Sequence, residues 1–212
     1  MKYGLISASF VGIWEKPFTN LPNFDRKFCL DLFGDPYHTT CGVTPEGFVV
    51  AKQFTPPPHP SLVINPNRIQ ITELSITKTC DLTHLLLTTL QETNPTDMLF
   101  PFSSIGINME HEWLELEKLS HVIFLEKFFH SSFFPQDQII PYDLRFELRS
   151  SNNLKLNFIF QPRSGLKNAI FVGTNDDKFW SEKPAPSREQ LLDMFTDSAT
   201  EIRKRLDPLF IS

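Results

Sequence analysis

The residues whose types and spacing could support metal chemistry cluster in one stretch near the start of the chain. His38 and Cys41 form an HxxC pair, and His59 follows in the proline-rich segment 56–60. Zinc takes four nitrogen or sulfur ligands, or three ligands and a water, so an imidazole and a thiolate would supply part of such a set. A second closely spaced pair is missing. A zinc site at His38, Cys41 and His59 is therefore the alternative hypothesis, in which the protein is a metal-dependent hydrolase or small-ligand enzyme that also uses Glu46.

A second histidine lies between two carboxylates, in the triplet Glu110-His111-Glu112. Side chains alternate between the faces of a strand, so His111 would share a face with Met109 while both glutamates point the other way. A general acid and base must lie within hydrogen-bond reach of the groups that they serve. We therefore interpret the triplet as an exposed strand end and predict no catalytic residues there.

The motifs of other common enzyme classes are absent from the sequence. Its 8 glycines include neither GxxxxGK[ST] nor GxGxxG, the loops that hold nucleotide phosphates. The serine nucleophile motif GxSxG is also missing. These absences favour a non-enzymatic protein, and no resident cofactor is expected.

Phenylalanine dominates the aromatic residues, with 21 Phe against 3 Tyr and 3 Trp. Rings without a polar group are typical of a buried core. A chain this rich in them could also leave an apolar patch through which proteins associate. The leading hypothesis is therefore association with a protein partner or with a second copy, as a homo-oligomer, through a Phe-rich surface or a sheet edge.

Charge and cysteine content restrict the partners and the compartment. Lys and Arg number 20 against 25 Asp and Glu, and a net charge of -5 offers no general attraction to nucleic acid. The three cysteines are odd in number and lack CxxC spacing, which favours free thiols and a cytoplasmic location. No apolar segment is long enough to span a bilayer, so a membrane partner is not expected.

The clearest structural patterns lie in the C-terminal third. Residues 144–149 alternate strictly between apolar and charged, and residues 154–158 repeat the pattern, which predicts an antiparallel hairpin. A third strand is predicted over 168–172. Ser187 with Gln190 forms a capping box, which predicts a long helix ending near Asp207-Pro208.

Upstream patterns predict further strands and two more helices. Asp81 could cap a helix with leucines on one face at 82, 85, 86 and 90, ending at Asn94, and a second helix is predicted after Lys118. The apolar pattern of 68–76 slips by one residue, which a β-bulge would absorb. The remaining predicted strands are residues 3–14, 26–33, 48–54, 61–64 and 104–112.

The order of these elements predicts an α+β fold, with a mostly antiparallel sheet and about three helices packed on one face. The prolines at 56–60 mark the best internal boundary. We expect residues 1–60 to form a β-rich segment that packs on an α+β core of residues 61–212, or the whole chain 1–212 to form a single domain.

Overall fold

A computed structural model describes residues 1–17, 39–44, 47–52, 60–96, 99, 101–128, 144–149, 155–162 and 166–210. Within these ranges there are nine strands: β1 (Lys2–Trp14), β2 (Thr39–Thr44), β3 (Gly47–Lys52), β4 (Ser61–Asn65), β5 (Arg68–Glu73), β6 (Phe102–Leu114), β7 (Leu144–Arg149), β8 (Lys155–Pro162) and β9 (Ile170–Phe179). The same ranges contain three helices: α1 (Ile76–Thr93), α2 (Ser120–Phe128) and α3 (Arg188–Phe210).

All nine strands belong to one sheet in the order β2-β3-β4-β5-β1-β6-β9-β8-β7, and every neighbouring pair is antiparallel. The predicted α+β class, with a long C-terminal helix, is therefore confirmed. β1 lies in the middle of the sheet between β5 and β6. Strands from both sides of residue 60 pair directly, because β3 is hydrogen-bonded to β4.

The two faces of the sheet differ in chemistry because successive side chains of a strand point to opposite sides. One face carries large apolar side chains such as Phe10, Ile107 and Phe160, all buried under the helices. We call this the covered face. The opposite side, the open face, carries the alternate residues, including Ser9, Asn108 and Asn157, and no described helix packs on it.

Helix α1 begins earlier than the sequence indicated. Ser75, not Asp81, is the N-cap, and its side-chain oxygen accepts a hydrogen bond from the backbone N–H of Lys78 at 3.3 Å. Because β5 ends at Glu73, the change in apolar phase marks the passage from strand to helix, and the predicted bulge was wrong. Asp81 instead accepts a hydrogen bond from Nε of Arg188 at the start of α3, at 2.6 Å.

The leucine face predicted for α1 is also partly wrong. Leu86 and Leu90 are buried, but Leu85 is 49% exposed. The buried stripe includes Thr79 and Thr83 instead, and the Thr79 hydroxyl donates to the backbone oxygen of Ala8 at 3.1 Å. Small side chains on this stripe allow the helix to approach the central strand closely.

The capping box predicted at the start of α3 is confirmed. The Ser187 N–H donates to Oε1 of Gln190 at 2.9 Å, and the Gln190 N–H donates to Oγ of Ser187 at 3.2 Å. The helix continues through Pro208 to Phe210, past the predicted end, because Phe210 packs against Trp113 on the covered face. A proline in the last turn removes one backbone donor without stopping this contact.

The hairpin of β7 and β8 and its extension to β9 confirm the predicted three-stranded meander. β9 is longer than predicted and reaches Phe179. β2 was not predicted, and the strand predicted over residues 26–33 lies outside the described residues. Among the described helices, none combines the length and the apolar character that crossing a membrane requires.

Candidate binding groove

The residues of the hypothetical zinc site are placed only in part. Cys41 lies on β2, opposite Val50, where its half-buried free thiol packs against the apolar core. His38, His59 and Glu46 lie outside the described residues. Within the described ranges, no three His, Cys, Asp or Glu side chains are grouped as metal ligands. The zinc site stays a prediction, which the metal content of purified wild-type and His38→Ala protein would test.

The interpretation of Glu110-His111-Glu112 as an exposed strand end was wrong for the histidine. His111 is fully buried on the covered face near the middle of the sheet. Its Nδ1 is hydrogen-bonded to the Tyr3 hydroxyl at 2.8 Å, and burial lowers the pKa of the imidazole to about 4. His111 is therefore neutral at pH 7.

Two further contacts connect this buried group to α3. Nε1 of Trp113 donates to Oδ1 of Asp207 at 3.0 Å, and the Arg203 guanidinium lies 4.7 Å above the Tyr3 ring. Arg203 also donates to Oδ2 of Asp207 at 3.1 Å. The arrangement joins the C-terminal helix to the sheet beside the buried His111.

The phenylalanines whose side chains are described are mostly core residues. The buried members are Phe10, Phe102, Phe124, Phe158, Phe160, Phe195 and Phe210. Phe179 is the main exception, at 78% exposed, and lies at the end of β9 on the open face. It pairs with Ser104 of β6, and Ser104 pairs with Ile13 of β1. Ile13 is 38% exposed. An apolar rim therefore borders one end of the open face.

The open face contains a groove of about 810 Å³. Its lining comes from seven adjacent strands, β3-β4-β5-β1-β6-β9-β8, so the groove runs across the strands rather than along them. This volume lies within the range of about 300–1,000 Å³ typical of ligand sites. Among the features of the described chain, the groove is the best candidate for a functional site.

One row of side chains, in direct register across these seven strands, forms the bottom of the groove. We call it the floor row. Every member is small or carries a neutral polar group: Ala51, Ser61, Thr72, Ser9, Asn108, Asn175 and Asn157. No large apolar side chain projects from this row into the groove.

The hydroxyl half of the floor row is internally hydrogen-bonded. Oγ of Ser9 and Oγ1 of Thr72 lie 2.8 Å apart, and Nε2 of Gln70 donates to the same Thr72 oxygen at 3.3 Å. Gln70 in turn accepts from Arg68 at 2.5 Å. These bonds fix the side chains of β5 and β1, so this half of the groove is preorganised.

The amide half consists of Asn108, Asn175 and Asn157 on β6, β9 and β8. We call these three residues the asparagine ladder. Asn175 directly faces both of the others across its two neighbouring strands. Its Nδ2 donates to Oδ2 of Asp177 at 3.2 Å. In the described part of the chain, Oδ1 of Asn108 and Oδ1 of Asn175 are buried and accept no hydrogen bond.

Among the described residues that line the groove, Glu110 is the single charged one. It lies beside Ser7 on the neighbouring strand, and the Ser7 hydroxyl donates to its Oε2 at 2.8 Å. Among the described residues, Glu110 forms no ion pair. The described lining of the groove is thus neutral except for one carboxylate at its side.

Sequence reasoning missed the groove because its residues come together only through strand pairing. Thr72, Ser9, Asn108 and Asn175 are far apart in the chain, and strand order sets their register. A local signal was present, since Ser7 and Ser9 alternate with apolar residues. Such alternation identifies a non-core face without showing that it is concave.

Comparison with known proteins adds no functional information. No protein-family model matches the chain, and no curated protein matches it either.

Proposed function

We propose that this protein acts by non-covalent association with another protein, and that the open face of its sheet is the contact surface. The observation that carries the proposal is the groove across seven strands on the open face. The sequence hypothesis put the contact at a Phe-rich surface or a sheet edge. Burial of most described phenylalanines favours the open face instead.

The surroundings of the groove support a role in binding. Concave sites with a few placed polar groups are typical of ligand-binding sites, and segments of partner proteins also bind in grooves. The hydroxyls of Ser9 and Thr72 are held by each other, so a partner meets a fixed arrangement of polar atoms. The exposed Ile13 and Phe179 add an apolar area at one end, which a partner would cover.

A site-specific photo-cross-linking experiment tests this proposal in cells that naturally make the protein. A photoreactive phenylalanine analogue replaces Ile159, which lines the groove, or Leu85, which is 49% exposed on α1 on the covered side. We expect a discrete protein adduct from position 159 and none from position 85. The partner would then be identified by mass spectrometry and its binding measured with purified proteins.

A matched pair of glycine substitutions ties the adduct to the groove. Gly173 lines the groove, and a Cβ there meets only ordinary contacts, the nearest at 3.6 Å. Gly42 lies on β2 outside the groove, with nothing within 4 Å of an added Cβ. We expect Gly173→Val to weaken binding about tenfold or more by filling the groove, and Gly42→Val to leave it unchanged. Equal adducts from positions 159 and 85, or none from 159, would overturn the proposal.

A further inference from the structure

The shape of the groove restricts what can occupy it. Its lining spans seven strands, and six inter-strand spacings of about 4.8 Å give a length of roughly 29 Å. Two copies of this face cannot fill one another, because two facing grooves leave a void where protein interfaces are closely packed. The occupant must therefore be long, narrow and convex.

The asparagine ladder indicates the chemistry of the occupant. Asparagine is depleted in strands, yet three occur side by side on β6, β9 and β8. Each carboxamide carries a donor and an acceptor, as a backbone amide does. Oδ1 of Asn108 and Oδ1 of Asn175 are buried beneath the groove surface, so an occupant would pair with the other polar atoms of the three carboxamides.

An extended chain fits this chemistry better than a helix does. A helix satisfies its own backbone amides and binds through apolar side chains, usually in an apolar groove. An extended segment brings one donor and one acceptor per residue, all of which need partners. At about 3.3 Å per residue, roughly nine residues would span the groove.

Charge gives a further restriction. Glu110 is the only charged residue in the described lining, and no described cation forms an ion pair with it. A mostly uncharged segment with one Lys or Arg beside Glu110 would match the groove. A strongly acidic segment would meet this carboxylate, with which no described cation forms an ion pair.

We infer that the groove binds an extended, mostly uncharged segment of a partner protein, whose backbone amides pair with the asparagine ladder and which carries one basic residue against Glu110. This inference rests on the proposed function and names the kind of partner. The hydroxyl half of the floor row, which is already hydrogen-bonded internally, would contact the side chains of the segment rather than its backbone.

The probe for this inference is a displayed library of random peptides about nine residues long, the length that spans the groove at ~3.3 Å per residue. It is selected on the full chain, with parallel binding to the Gly173→Val and Gly42→Val proteins. We expect enriched peptides that are mostly uncharged with one Lys or Arg, that bind Gly42→Val as wild type, and that lose about tenfold or more in affinity for Gly173→Val.

Two further substitutions resolve the contacts. Glu110→Gln should weaken peptides with a basic residue about tenfold, because a charge-assisted bond is lost, and should leave variants of the same peptides without that residue unchanged. Asn175→Leu, which keeps the branched shape of the side chain and removes the amide, should weaken both sets. Circular dichroism and thermal melts of each variant establish that the fold is retained.

The outcomes separate this inference from the proposed function. Enriched peptides that are acidic or helical, or that bind Gly173→Val as well as wild type, would overturn the inference. Photo-cross-links from position 159 to a folded surface of a partner would agree with the proposed function. They would contradict the inference that the bound segment is extended. A library without any groove-dependent binder would also contradict the inference, whereas a lack of cross-links would contradict both.

Discussion

The covered face and the open face are built from the same strands, and often from neighbouring residues of one strand. On β1, Phe10 is buried in the core while Ser9 faces the groove. On β8, the same contrast holds between Phe160 and Ile159. Alternation along each strand therefore divides the sheet into a side that packs under the helices and a side that we propose for recognition.

We expect the largest difference in the free energy of unfolding between Phe160→Ala and Ile159→Ala. The Phe160 ring is fully buried and packs against the rings of Phe124 and Phe210, so its removal should cost about 3–5 kcal/mol. Ile159 is half-buried at the groove, and its truncation should cost about 1 kcal/mol. Urea denaturation measures both values. Equal losses would show that the open face stabilises the fold as much as the covered face does.

The next effect concerns the buried histidine of the covered face. The pKa of His111 is about 4 in the folded protein. An unfolded histidine has a pKa of about 6.5. The unfolded state therefore binds more protons between these values, so stability falls as pH drops through this window. The loss should reach about 3 kcal/mol by pH ~4.

Urea denaturation at a series of pH values tests this expectation in wild type and in two matched variants. His111→Gln should lose the dependence that is specific to the window between pH ~6.5 and ~4. His84→Gln removes an exposed histidine of α1 and should keep the wild-type slope. A wild-type slope in His111→Gln would show that the buried imidazole does not carry the effect.

The smallest difference in stability is expected between alanine substitutions at two glycines, Gly12 and Gly173. A Cβ on Gly12, on the covered side of β1, would come within 2.3 Å of the Phe102 ring. Gly12→Ala should therefore cost about 1–3 kcal/mol through overpacking. Gly173→Ala, on the open face, should change stability by no more than about 0.5 kcal/mol. Thermal melts of the two variants measure both values, and similar losses would show that the two faces are packed equally tightly at these positions.

The parts of the fold that sequence predicted were those in which one local signal sufficed. Strict alternation over residues 144–149 identified the hairpin, and Ser187 with Gln190 identified the start of α3. The start of α1 was missed because Ser75 and Asp81 are both acceptable caps. The tertiary contacts that decided between them, such as Thr79 against Ala8, are not visible in a local window.

The candidate site was harder to predict from sequence than the individual strands and helices, for a physical reason. The groove depends on which strands are neighbours, and β1 pairs with strands far along the chain. The triplet around His111 illustrates the same limit: alternation separated its side chains correctly, but only the sheet order shows that the histidine lies under α3.

The central position of β1 has a consequence for how the molecule forms. Its residues Lys2 and Tyr3 are paired with Leu114 and Trp113, so over one hundred residues must be synthesised before the middle of the sheet can close. Pairing between such distant segments carries a large loop-closure entropy and is slow. During synthesis, the apolar side chains of β1 therefore stay exposed until β6 has been made and can pair with it. That interval, rather than the finished protein, is the period of greatest risk for aggregation and the point at which chaperones would matter most.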